Sequence, residues 1–151
     1  MTNFLMSIRF NKQSPQDFGL VYVNGKFVRE SDQTEWMPHA LYNFGWGKEN
    51  GFCKVPLGSF EELMRLVLCD KDLEDSYGAA AMILEKYPQE LKLYLQNSLQ
   101  QRENQKDKKW LRKLNHFFAL HKGINLSLQA GMTLAEIDRE HGDWKQIANF
   151  F

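Results

Sequence analysis

The chain has 151 residues, of which 43% are apolar and 25% charged, ordinary usage for one domain that buries about 68–70% of its unfolded surface. Nineteen Lys and Arg balance nineteen Asp and Glu. No long-range field therefore draws nucleic acid or an anionic membrane to the whole molecule, and only a local patch is left for either.

Met1 to Arg9 lacks the charged and long apolar segments of a signal peptide, and the longest apolar run, Ala79 to Leu84, is far below the ~20 residues that span a bilayer. The expectation is a cytoplasmic protein with no membrane partner, whose two cysteines, Cys53 and Cys69, stay reduced.

Phe4 to Phe10 alternates in part and reads as strand. Leu20-Val21-Tyr22-Val23 and Lys26-Phe27-Val28 flank Asn24-Gly25, and Asn-Gly between β-prone runs predicts a two-residue type I′ hairpin. Ser31 to Gln33 follows as a polar turn. Trp36 to Gly58 holds Trp36, Tyr42, Phe44, Trp46 and Phe52 among glycines and prolines. It reads either as a third strand with a long loop or as an irregular aromatic segment folded over the sheet. Trp36, Phe44 and Phe52 are expected in the core, while Tyr42 and Trp46 stand open between core and a partner-facing loop.

From Ser59 the pattern is helical. Ser59-Phe60-Glu61-Glu62 has the form of a capping box, and Phe60, Leu63, Met64, Val67 and Leu68 recur at three- and four-residue spacing. A second helix is expected over Asp72 to Tyr87 and a third from Pro88, with Leu91, Tyr94, Leu95 and Leu99 as its stripe. Gln100 to Lys109 is a connector or a solvated helical extension. Trp110 to Lys122 is amphipathic and ends at Gly123. Thr133-Leu134-Ala135-Glu136 is a second capping box, opening a short helix that stops near Gly142, with Asp143 capping a last turn. Strands first and helices after predict an α+β domain: a small N-terminal antiparallel sheet followed by four to five packed helices, all in a single domain over 1–151.

No metal, cofactor or catalytic constellation is expected. His39, His116, His121 and His141 include no i,i+4 pair, and His116 and His121 lie about 140° apart on a helix. The run Asp70-Lys71-Asp72-Leu73-Glu74-Asp75 lacks the glycine and the closing glutamate of a calcium loop, having Asp75 and Ala81 there, and its acids suit a helix N-terminus. No Gly-x-Ser-x-Gly elbow or phosphate-binding glycine loop is present. An enzyme would have to assemble from distant groups, such as His39 with Cys53 or Glu61. A nucleic-acid accessory role would use Lys106, Lys108, Lys109, Arg112 and Lys113 around a stacking Trp110. The tail from Leu134 to Ala148, with His141-Gly142-Asp143-Trp144, resembles the middle of a Myb-type three-helix unit; Phe151 ends the chain before a recognition helix, so helix–turn–helix packing is all it implies.

The segment Asp75-Ser76-Tyr77-Gly78-Ala79-Ala80-Ala81-Met82-Ile83-Leu84-Glu85-Lys86-Tyr87-Pro88 resembles the small single-domain immunity proteins of bacterial toxin systems. The resemblance covers about a tenth of the chain and implies a non-catalytic, stoichiometric binder that blocks a toxin partner by occlusion. Toward a nuclease toxin, an acidic contact face would imitate phosphate, and Asp70, Asp72, Glu74, Asp75 and Glu85 are the exposed candidates for it, with Tyr42 and Trp46 beside them. The small residues Gly78 to Ala81 are also expected to let two helices approach closely.

Overall fold

The computed structural model describes residues 2–6, 14–43, 47–69, 71–101 and 108–151. The architecture is α+β: a five-stranded antiparallel sheet followed by five helices. The chain falls into two units, Met1–Met82 and Ile83–Phe151.

In the first unit, β1 (Phe4–Met6), β2 (Leu20–Val23), β3 (Lys26–Arg29), β4 (Glu35–Asn43) and β5 (Lys48–Lys54) pair in the order β1-β5-β4-β3-β2. The β2–β3 hairpin turns at Asn24 and Gly25, whose φ angles of 51° and 82° are both positive, as a type I′ turn requires. Trp36 to Gly58 corrects both readings of that segment. It forms two long paired strands, with a register irregularity between Ala40 and Asn43. Phe44 and Trp46 lie outside the described residues.

Residues two apart on a strand share a face, so the register sets Leu5, Leu20, Phe27, Trp36 and Phe52 on one side. Leu5, Leu20, Trp36 and Phe52 form a buried cluster there, with Phe18 and Phe27 packed edge-on against Phe52 at 5.8 and 5.2 Å. The other face buries Phe4, Met6, Leu41 and Cys53. Toward β2 it carries Val21, Val23, Val28 and Met37, of which Val23 and Met37 are exposed.

Two helices complete this part of the chain. In α1 (Phe60–Leu68) Ser59 caps the N-terminus by accepting from Glu62 N, and Phe60, Leu63, Met64 and Val67 are buried. In α2 (Leu73–Lys86) Gly78 packs against β1, where an added Cβ would overlap the Phe4 ring. The Ser76 hydroxyl lies within 3.1 Å of the carbonyls of Leu66, Cys69 and Asp72, tying the end of α1 to the start of α2.

The second unit holds α3 (Pro88–Gln101), α4 (Lys108–Phe118), a 3-10 turn at Leu120–Lys122 and α5 (Leu134–Ala148). Gly123 closes the 3-10 turn in the left-handed region at φ 62°. The Thr133–Glu136 capping box opens α5. Gly142 does not stop that helix, which corrects the short helix and the helix–turn–helix expected at the tail. Glu140, Trp144 and Ile147 are buried at spacings of four and three, so one inward stripe continues past the glycine. The propensity cost of a helical glycine, about 1 kcal/mol, is smaller than the burial of Trp144 and Ile147 that continuity secures.

Candidate functional site

The acidic group at the start of α2 was expected to face a partner, but its described members face β1. Among the described residues β1 is an edge strand paired with β5 alone, so the backbone donors on its outer side need acceptors. Asp75 Oδ1 accepts from Asn3 N at 2.6 Å and Phe4 N at 2.9 Å. Glu74 Oε2 accepts from Met6 N at 3.4 Å and Asp72 Oδ2 from the Thr2 hydroxyl at 3.4 Å. Asp72 Oδ1 also takes Asp75 N at 3.2 Å, as a helix cap does. Asp75 is only 3% exposed, which removes it from any contact face. Burial pushes the Asp75 carboxyl above the usual range, with the amides of Asn3 and Phe4 pulling the other way.

Glu85 is exposed and pairs with its neighbour Lys86 at 3.6 Å. Asp70 and Trp46 lie outside the described residues. Tyr42 is half-buried with its ring centroid 4.6 Å from that of Tyr77, and burial followed by that neighbour raises its phenol.

The proposed stacking residue Trp110 is buried at 8% exposure, its ring 6.3 Å from Tyr94, so it is not presented to a base. The cations around it divide differently: Lys108, Lys109 and Arg112 are exposed, Lys113 is half-buried, and Lys106 lies outside the described residues.

A distant-residue enzyme site gains no support from its components. His39 Nδ1 lies 2.9 Å from the carbonyl of Ala40, and the Cys53 thiol points to the Met37 carbonyl at 3.7 Å. Among the described residues, no three His, Cys, Asp or Glu converge as metal ligands, and no helix is long and apolar enough to cross a membrane. A groove of about 300 Å³ in the first unit is lined by Phe4, Lys54, Pro56, Leu57, Glu62 and Arg65. Another of about 570 Å³ in the second is lined by Gln96, Leu99, Gln146, Ile147 and Phe150. The described groups whose ionisation the fold displaces, such as Tyr42, Asp75 and Glu140, line neither groove.

Two features escape a motif search. The first is a buried ionic network in the second unit. Lys92 Nζ donates to Glu140 Oε1 at 2.7 Å and to Asp143 Oδ2 at 3.2 Å. The Ser127 hydroxyl donates to Glu140 Oε2 and accepts from Trp144 Nε1 at 2.9 Å. Burial works against the Glu140 charge, but the hydrogen bonds from Lys92 and Ser127 and the Lys92 charge outweigh it and hold the carboxyl below its usual range.

The second feature is apolar surface at the β2 end of the sheet. On the face that carries Val21 and Val28, Val23 and Met37 are nearly half exposed beside the Lys26–Glu35 ion pair at 3.4 Å, while Tyr22, 68% exposed, lies on the opposite face. Tyr22 stacks edge-on against Phe27 at 5.1 Å, which ties an exposed ring to the sheet core. β2 is also the outer edge of the sheet. Comparison with known family models, with curated proteins and with solved structures finds no match to this chain.

Proposed function

We propose that the chain is a non-catalytic protein-binding module, of the immunity type, that neutralises a toxin partner by lying over its surface. The observation that carries the binding reading is exposed apolar surface at the β2 end of the sheet, with Tyr22 on one face and Val23 and Met37 on the other. Tyrosine anchored by a core ring provides contact area at little entropic cost, and on the opposite face Val23 and Met37 with the Lys26–Glu35 ion pair beside them have the apolar centre and polar rim of a contact patch. An edge strand adds a row of backbone groups that a partner strand can pair with. The toxin class rests on the resemblance of Asp75 to Pro88 to immunity proteins. In this reading the β2 end of the sheet, rather than the acidic run, is the contact surface, because the carboxylates of Asp72, Glu74 and Asp75 are engaged by Thr2 and the β1 backbone.

The test is co-purification from the native host with the tagged chain and with a Tyr22→Ala/Met37→Asp variant of unchanged melting temperature. The expected result is one equimolar protein on the wild type, toxic when expressed alone, and affinity about thirtyfold weaker on the variant, as loss of a hot spot near 2 kcal/mol gives. Equal recovery on both proteins, or no protein on the wild type, overturns the proposal.

A further inference from the structure

Residues 108–122 contain five Lys or Arg, two His and no Asp or Glu, in a chain whose total charge is zero. On α4, at 100° per residue, Lys108, Arg112, His116, Lys109 and Lys113 fall within an arc of about 140°. Trp110, Leu111, Leu114, Phe117 and Phe118 occupy the opposite arc of about 120°. The structure sorts them the same way: Trp110, Leu114, Phe117 and Phe118 are buried, while Lys108, Lys109, Arg112 and His116 are exposed. His121 and Lys122 of the following 3-10 turn are exposed as well.

We infer that the basic arc of α4 binds the phosphate backbone of nucleic acid without regard to base sequence. Lys108, Arg112 and His116 advance about 6 Å per four-residue step along the helix, giving two charges and an imidazole in a row suited to a row of phosphates. The arc holds no apolar side chain, so a protein partner would find none of the buried anchors on which protein interfaces depend; phosphate requires only cations and donors. A membrane is disfavoured for a separate reason. Amphipathic helices enter the interface by their apolar face, and in α4 that face is already buried. Trp110 is buried as well, so no ring on this helix is left to stack on bases beyond the His116 imidazole, which rests edge-on against Phe117 at 5.0 Å. This surface is independent of the hairpin patch and of the immunity reading.

The test is fluorescence anisotropy of the full chain with labelled duplexes of about 20 base pairs and two unrelated sequences. Binding is expected at about 50 mM salt, equal for both sequences, and about 10²-fold weaker at about 200 mM, the loss that four phosphate contacts give by counterion release. Lys108→Gln/Lys109→Gln/Arg112→Gln/Lys113→Gln should weaken binding by about tenfold or more at low salt and flatten the salt dependence. Lys108→Arg/Lys109→Arg/Lys113→Arg, which keeps the charge, should retain both. Absence of binding at the low salt concentration overturns the inference. So does a glutamine variant that binds as well as wild type, or tighter binding to phosphatidylserine vesicles than to duplex.

Discussion

The start of α2 and the exposed arc of α4 look alike as charged runs, yet the molecule uses them in opposite ways. At α2, Glu74 and Asp75 accept the backbone amides of Asn3, Phe4 and Met6 at an edge strand, and Asp72 accepts the Thr2 hydroxyl just before it. At α4, Lys108, Lys109 and Arg112 turn to solvent, while the apolar half of the same helix is buried. The difference teaches that a charged run reports function only where the fold has no internal use for it. An acidic run beside an edge strand has such a use, because unsatisfied buried N–H groups cost about 1–3 kcal/mol each. The basic arc of α4 lies opposite a complete apolar stripe, and Lys108, Lys109 and Arg112 are exposed there.

The largest effect is expected where a charge is held deepest. Lys92→Ala leaves the Glu140 carboxylate buried without its cation and should cost about 3–5 kcal/mol in denaturant unfolding. Replacing the pair with Lys92→Met/Glu140→Leu should recover most of that loss, since well-packed apolar side chains often match a buried ion pair.

Asp75→Ala should cost about 2–4 kcal/mol by stranding the amides of Asn3 and Phe4. Asp75→Asn should stay within about 1 kcal/mol of wild type, because its amide oxygen can accept both donors without a buried charge. Neutralising the exposed Lys108 and Arg112 to Gln should change stability by less than about 0.5 kcal/mol each, as surface substitutions do. A larger loss would show that the α4 arc is structural after all.

Two helical glycines sharpen the contrast at smaller scale. Gly78→Ala forces a Cβ into the Phe4 ring and should destabilise by about 1–3 kcal/mol. Gly142→Ala meets open space in the continuous α5 helix and should stabilise by about 0.5–1 kcal/mol. If Gly142 were instead a helix stop, the same alanine would destabilise.

The two buried carboxyls should respond to pH with opposite signs. The folded Asp75 carboxyl titrates above its usual value, so its contribution opposes folding at neutral pH and is relieved as the pH falls into the upper carboxylate range. The folded Glu140 carboxyl titrates below its usual value, so its contribution favours folding above about pH 4.5 and is lost as the pH falls further. In pH-dependent unfolding, Asp75→Asn should remove the first dependence and Glu140→Gln the second.

Much of the fold is readable in the chain. Asn24-Gly25 marks the hairpin, Ser59 and Thr133 mark helix starts, and three-to-four spacing marks the stripes of α1, α3 and α4. Gly142 misleads because a local breaker is overridden by the inward stripe around it. Trp36 to Gly58 misleads because Gly51, which suggests a loop, sits within β5 where β1 approaches closely. The surfaces are less readable. Lys92 and Glu140 each occupy a position of an apolar stripe, and opposite charges on two such stripes were the available signal for a buried pair. Tyr22 gave no signal, since exposure of an edge strand depends on the strand order, which local pattern does not encode.

The most direct test of the contrast between α2 and α4 is amide hydrogen exchange, followed by NMR, at Phe4 in the wild type and in Asp75→Ala. The account predicts a protected Phe4 amide in the wild type, loss of that protection in the variant, and unchanged exchange across α4. A Phe4 amide that exchanges freely in the wild type, or stays protected without Asp75, would contradict it and return the acidic run to the surface as a candidate contact face.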